Sequence, residues 1–133
     1  MKALLDAIYT TLTTDSDVNG EVGTRIYSSV AKEDCASPYI VINIISNIKD
    51  KTFKNSNIYS AIVQIDLWES AIDEGFSSLD TLYGYVDIAL DEAALSISGY
   101  THIGTNHDVA IGPTKEEDYW HYLLQYEIWY EKN

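Results

Sequence analysis

The side chains with the widest chemical range in this sequence are three histidines and one cysteine. His102 and His107 lie five residues apart and are followed by Asp108, and His121 comes later. A three-ligand metal site can be drawn from these residues, but their spacing matches no known metal motif. Histidines on strands and loops are usually ordinary surface residues. Cys35 stands alone, which excludes an intrachain disulfide and a thiolate metal site. We therefore expect neither a metal nor a cofactor.

No sequence pattern that marks an enzyme active site is present. The chain has no G-x-S-x-G nucleophile elbow, no phosphate-binding glycine loop and no dinucleotide fingerprint. Carboxylates are abundant, but abundance does not identify an acid and base pair with separated pKa values. We therefore expect a protein that is not an enzyme. The alternative is a small hydrolase that uses one of the histidines, for which the sequence indicates no substrate.

The charge of the chain is large and unevenly distributed. Its 133 residues carry a formal net charge of −13, and residues 55–114 include nine acidic residues but no Lys or Arg. Three of the eight basic residues, Lys49, Lys51 and Lys54, lie together in one polar segment. Free nucleic acid is not expected as a tight ligand, because phosphate contacts need clustered Lys and Arg. An acidic body with a small basic tip suggests charge complementarity with like subunits or a partner.

Length and hydropathy indicate one packed domain over residues 1–133. The chain is 46% hydrophobic, which is too apolar for a disordered protein despite its charge. No apolar run approaches the roughly 20 residues that a membrane span needs, and the N-terminus does not resemble a signal peptide. We expect synthesis in the cytoplasm and no membrane association.

The first half of the chain predicts a helix followed by a long β-hairpin. Apolar residues at helical spacing predict a helix over residues 2–13. Residues 39–48 are rich in β-branched side chains and predict an interior strand, and the alternating residues 58–68 predict its hairpin partner. Strands of this length reach about 33 Å, so the lysine-bearing tip is expected to project from the body. The alternative is an ordinary solvated loop.

The second half predicts a long helix and further strands. Helical periodicity covers residues 73–94, where steps of seven and four residues place four aspartates on one stripe. A charge row of this kind is usually a solvated face. Residues 96–113 predict one or two short strands with irregular turns, and residues 120–131 alternate as a half-buried strand. The acidic stripe consists of Asp73, Asp80, Asp87 and Asp91.

Aromatic residues on polar strand faces are the strongest candidates for binding. Tyr119 and Trp129 share the face of the last strand that carries His121, and Trp68 lies beyond the polar residues of the hairpin strand. Tyr and Trp are enriched at the centres of protein interfaces. We therefore predict that Trp68, Tyr119 and Trp129 are interface residues. The alternative is that these rings cover neighbours within the same chain.

Taken in order, these elements predict an α+β fold with an antiparallel sheet of four to five strands and a long projecting hairpin. An N-terminal helix and a long central helix would pack on the sheet.

Four short motifs give the sequence a recognisable pattern: ALLDAIY at residues 3–9, VGTRIY at 22–27, SPYIVI at 37–42 and VQIDLW at 63–68. Together they resemble the tail-completion, or tail-terminator, proteins of long-tailed bacteriophages and prophages. The resemblance spans nearly the whole chain and is weakest after residue 96.

This resemblance implies a virion tail protein, assembled in the host cytoplasm, that forms a ring of typically six subunits. The ring would cap the tail tube, join it to the head connector protein, and let DNA pass without specific binding. On this hypothesis the basic residues Lys49, Lys51 and Lys54 reach the next subunit or the tail tube protein. The residues that would face the channel are Asp66, Glu69 and the acidic stripe.

A competing interpretation is an acidic protein-binding module of prophage origin, such as a DNA-mimicking inhibitor. It would explain the charge but leaves the long hairpin and the aromatic strand without a role. It predicts a monomer or dimer that co-purifies with a basic partner.

Overall fold

Three helices and five strands lie in the part of the chain that the structure describes. The computed structural model describes residues 2–49, 57–72, 76–91 and 93–133. The helices are α1 (Lys2–Thr14), α2 (Ser16–Val22) and α3 (Ser77–Asp91). The strands are β1 (Ile26–Ser28), β2 (Tyr39–Lys49), β3 (Ile58–Ser70), β4 (Tyr100–Glu116) and β5 (Tyr119–Lys132). The predicted α+β class is confirmed, and no described helix is long and apolar enough to span a membrane.

The five strands form one sheet in the order β1-β2-β3-β5-β4. β2, β3, β5 and β4 pair antiparallel to their neighbours, as the sequence predicts. The sheet is nevertheless mixed, because the three-residue β1 runs parallel to β2. The β2–β3 hairpin is confirmed by pairing from Tyr39↔Trp68 to Lys49↔Tyr59. Its predicted projecting tip lies at residues 50–56, outside the described residues.

The helix α2 was not predicted from the sequence. It begins after Asp15, whose Oδ1 accepts hydrogen bonds from the backbone N–H groups of Asp17 (3.1 Å) and Val18 (3.0 Å). This is the usual role of an N-cap carboxylate. Val18 and Val22 are fully buried, so α2 adds a short apolar face to the helix layer.

Packing separates the sheet into two unlike faces. The even-numbered residues of β5 from Tyr122 to Tyr130 are buried, and so are Ala61, Val63, Ile65 and Leu67 of β3. They join one hydrophobic cluster with buried residues of all three helices. The opposite face, which we call the helix-free face, has no helix packed on it among the described residues.

Strand β4 differs most from the sequence expectation. Instead of one or two short strands, it is a single strand of 17 residues. Its pairing with β5 shifts register between His102 and Gly104, between His107 and Val109, and between Ile111 and Thr114. These bulges interrupt the two-residue alternation, which is why the sequence pattern did not indicate a long strand.

Gly112 occupies a position in β4 that only glycine fits. Its φ is +139°, and a Cβ there would lie 2.7 Å from the backbone oxygen of His121 and 3.0 Å from Cδ1 of Tyr122.

We expect Gly112→Ala to lower the free energy of unfolding by about 1–3 kcal/mol, as measured by urea denaturation. The control is Gly84→Ala in α3, where the new Cβ meets open space and should stabilise by up to about 1 kcal/mol. Equal stability of the two variants would contradict this account.

Candidate interaction surfaces

The helix-free face is arranged in rows that cross the antiparallel strands. One row runs from Tyr39 through Trp68 to His121. The next contains Val41, Asp66 and Leu123, and further along come the amide pair Gln64 and Gln125. Near the tip, Ile48, Ser60 and Trp129 share a row. The face therefore has an aromatic end, a polar middle and an apolar end close to the hairpin tip.

Five rings form an aromatic cluster at the first end of this face. The imidazole of His121 stacks on Trp68 with centroids 4.0 Å apart and planes 9° apart. Tyr39 also stacks on Trp68, with centroids 6.4 Å apart, and Tyr119 meets Tyr39 and Trp68 edge-on at 6.3 Å. Tyr27 meets Tyr39 edge-on. Burial, together with nearby Cys35, raises the pKa of Tyr39 to about 12.

Trp68 and Tyr119, both predicted interface residues, lie in this aromatic cluster. Trp68 is half-buried, and Tyr119 is 36% exposed. Each ring packs on cross-strand neighbours, as the alternative interpretation requires, while part of its surface still faces outward. Trp129, the third, lies at the opposite end, where it lines a groove of about 250 Å³ with Ile48, Ile58, Tyr59, Ser60 and Glu127.

His121 contacts two carboxylates, one from each neighbouring strand. Its Nε2 lies 2.7 Å from Oδ1 of Asp66, and its Nδ1 lies 2.8 Å from Oε2 of Glu116. Each contact is a hydrogen bond when the ring nitrogen concerned carries a proton. Gln64 donates from Nε2 to the second oxygen of Asp66 at 3.0 Å. The nearly buried Asp66 is thus paired with an imidazole and an amide.

The predicted channel-lining acids lie in three different environments. Asp66 and Glu69 are only 8% and 6% exposed and point to opposite faces of β3. Asp80 and Asp91 on α3 are exposed, and Asp87 is half-buried. Asp73 lies outside the described residues. α3 begins at Ser77, so the described part of the acidic stripe comprises Asp80, Asp87 and Asp91.

Two acids of the stripe accept hydrogen bonds from tyrosines of β5. Tyr122 donates to Oδ1 of Asp80 at 2.8 Å, and Tyr126 donates to Oδ1 of Asp87 at 2.9 Å. His107 places Nδ1 3.0 Å from the same oxygen of Asp87. Sequence reasoning missed these contacts. The spacing in the sequence could have indicated them. The seven helical residues from Asp80 to Asp87 advance about 10.5 Å, and the four strand residues from Tyr122 to Tyr126 advance about 13 Å. The two aspartates and the two tyrosines are therefore separated by similar distances.

Of the three lysines predicted to lie at the hairpin tip, the structure describes one. Lys49 is exposed as the last residue of β2. Lys51 and Lys54 lie outside the described residues.

The three histidines do not converge on a metal site. His102 and His107 lie on the helix-covered face of β4, whereas His121 lies on the helix-free face. Among the described residues, no group of three His, Cys, Asp or Glu side chains could hold a metal ion. Burial lowers the pKa of His102, and its Nδ1 accepts a hydrogen bond from the backbone N–H of Leu95 at 3.2 Å. His102 is therefore a neutral structural residue.

Two solved structures share this fold. One is a chain from the virion of a native gene transfer agent particle. It superposes with a TM-score of 0.80 at 23% identity, and the match covers 98% of this chain and 96% of that one. The gp17 protein of bacteriophage SPP1 superposes with a TM-score of 0.65 at 18% identity, covering 99% and 90%. No curated protein is significantly similar to the chain. At these identities the structural matches establish the fold.

The family follows from the sequence itself. Residues 6–131 match the family described as "Tail completion protein gp17". The chain therefore belongs to the tail completion proteins, which are structural proteins of the phage tail, and it is a component of the virion. The resemblance that the four short motifs carried is confirmed.

The buried tyrosines make stability sensitive to alkaline pH. Burial, with a hydrogen bond to Asp80 and its charge, raises the pKa of Tyr122 from 10.0 to about 12. Between these values the unfolded chain loses this proton and the folded chain keeps it, so the free energy of unfolding should fall as pH rises from 10 to 12. We expect a shallower fall for Tyr122→Phe in urea denaturation followed by circular dichroism. Tyr9→Phe, which alters an exposed ring on α1, is the control. Identical slopes for Tyr122→Phe and the unaltered chain would refute the argument.

Proposed function

We propose that this chain completes the tail by forming a ring, expected to contain six subunits, that caps the tail tube and joins it to the head connector. On this proposal the protein works by contact with copies of itself and with other virion proteins, and it catalyses no reaction. DNA passes through the ring without specific binding.

The observation that carries the proposal is the helix-free face of a protein in the tail completion family. An antiparallel sheet can leave one face in water, and such a face is then mostly polar. Here that face holds Trp68, Tyr119 and Trp129 at its two ends, with Ile48 63% exposed beside Trp129. Large, partly exposed aromatic rings of this kind are typical of interface centres. We assign this face to contacts within the assembled tail.

Charge gives the proposal a second line of support. Subunits of net charge −13 repel one another, and a basic hairpin that reaches an acidic neighbour offsets part of this repulsion. Lys49, Lys51 and Lys54 are assigned this role. Exposed carboxylates on a channel wall would keep DNA from adhering during its passage. Asp80 and Asp91 are exposed enough for it, and Asp73 belongs to the same proposal although it lies outside the described residues.

The lysine assignment is tested by changing Lys49, Lys51 and Lys54 together to serine. Loss of three cations at the contact should weaken ring formation and tail capping. The defect should be largest at low ionic strength, because salt screens both the attraction of the lysines and the repulsion between acidic subunits. Ring formation is measured by native mass determination, and capping by electron microscopy of tails assembled with each variant. The matched control replaces Lys2, Lys32 and Lys132 with serine, which changes the net charge equally at other sites. If both triple variants cap tails alike, the hairpin lysines have no special role.

The channel assignment is tested by reversing charge at Asp80 and Asp91. Lysine at both positions would attract the phosphate backbone, so genome release should slow and infectivity should fall while tails remain capped. Glu33→Lys with Glu131→Lys gives the same change of net charge at exposed positions away from α3. Release is followed as DNA leaving purified particles. Unchanged release in the Asp80 and Asp91 variant would exclude these residues from the channel wall.

A further inference from the structure

Part of the outer edge of β2, the side away from β3, has no neighbouring strand among the described residues. β1 is three residues long and pairs only with Ile40, Val41 and Ile42. Residues 43–49 of β2 continue beyond it, and no described strand pairs with them on this side. An edge of this kind presents unpaired N–H and C=O groups that can bind another strand.

The backbone groups that face outward can be identified from the hydrogen bonds to β1. The N–H of Ile40 donates to Arg25 and the C=O of Ile42 accepts from Ser29, both at 3.0 Å, so even-numbered residues here face away from β3. The register shift between Ile44 and Ser46 reverses the parity. Strand alternation then directs the peptide groups of Ile44, Asn47 and Lys49 outward.

The side chains of this open edge suit contact with another copy of an acidic protein. Residues 43–49 contain no carboxylate, and Lys49 is their one charged residue. Ile45 and Ile48 are 54% and 63% exposed. Two chains of net charge −13 approach with least repulsion where carboxylates are absent.

The opposite edge of the sheet has complementary features. β4 is the outermost strand on that side, and Ile103 and Ile111 are 53% and 56% exposed along it. Asp108 is exposed at the middle bulge, so this edge is acidic where the β2 edge is basic. The bulges at Asp108 and at residues 112–113 limit an added strand to residues 108–111. That stretch is as long as residues 46–49, the part of β2 that follows its own register shift.

Strand direction favours pairing between these two edges. In the sheet order β1-β2-β3-β5-β4, β2 and β4 run in opposite directions. Copies related by rotation about an axis along the strands keep those directions, so β2 of one copy meets β4 of the next antiparallel. A contact between two different edges is heterologous, and such contacts form a ring when the rotation from copy to copy closes.

We propose that residues 46–49 of β2 in one copy pair antiparallel with residues 108–111 of β4 in the next copy, a register that places Lys49 opposite Asp108 and Ser46 opposite Ile111. This rests on the proposed ring and names the surfaces that form it. The sheet then runs continuously from subunit to subunit, and the helix-free face becomes one continuous wall.

The arrangement is tested by cross-linking between the two edges. In a Cys35→Ser background, Ile48→Cys and Ile111→Cys are made singly and together and treated with a short bismaleimide in assembled tails. The double variant should give a ladder of covalent oligomers up to the ring size, and each single variant should stay monomeric. Dimers from Ile48→Cys alone would indicate β2–β2 pairing and overturn the proposal.

Charge exchange gives a second, independent readout. Lys49→Asp and Asp108→Lys should each weaken association by roughly two- to fivefold, because like charges then face each other, and the double variant should restore it. Failure of the double variant to recover association overturns the proposal. Rings seen by electron microscopy without a cross-linked ladder would reject this interface while leaving the ring intact. Absence of rings from unaltered tails would instead contradict the proposed function.

Discussion

The alternation of side chains along β5 is the constraint on which the rest of the structure depends. β5 lies between β3 and β4 and pairs with both along nearly its whole length. Its even-numbered side chains enter the hydrophobic core, and its odd-numbered ones cross the helix-free face. A slip of one residue would exchange the two sets. Tyr122 and Tyr126 would then lose their hydrogen bonds to the aspartates of α3, and His121 would lose its contacts with Trp68 and Asp66.

Fixed in this register, β5 supplies partners for two acids, Asp66 and Asp87, that the fold removes largely or partly from water. Removing a carboxylate from water is costly unless it is paired and hydrogen-bonded. Asp66 is paired with His121. Asp87 accepts a hydrogen bond from Tyr126 and also contacts the imidazole of His107. Two of the three histidines that sequence reasoning considered as metal ligands, His107 and His121, are thus partners of carboxylates. Their positions on opposite faces of the sheet explain why each can serve a different acid.

The two edges of the sheet are unlike each other, and this asymmetry matters for an assembly protein. β4 is long but broken by bulges, which are devices that limit edge-to-edge association. The open part of β2, residues 43–49, is short and contains neither an acidic residue nor a proline. The proposed ring needs a contact that forms in one orientation, and two unlike edges satisfy this requirement.

The sequence alone determined much of the architecture. Periodicity identified α1, the β2–β3 hairpin, α3 and β5, because each has a regular apolar pattern that survives without knowledge of its neighbours. The same alternation placed Tyr119 and Trp129 on the polar face of β5, and four short motifs indicated the family. β4 escaped detection because its bulges break the two-residue period, and α2 because its seven residues contain only two buried apolar side chains.

Only the tertiary structure decided which acids are free and which are bound. The stripe on α3 appeared uniform in sequence, yet Asp80 and Asp87 bind tyrosines 42 and 39 residues away. Likewise, the pairing of Asp66 with His121 joins residues 55 apart. A linear pattern reports the period of one element and therefore the face on which a side chain lies. It does not report what lies opposite that face, because this depends on how the elements pack together.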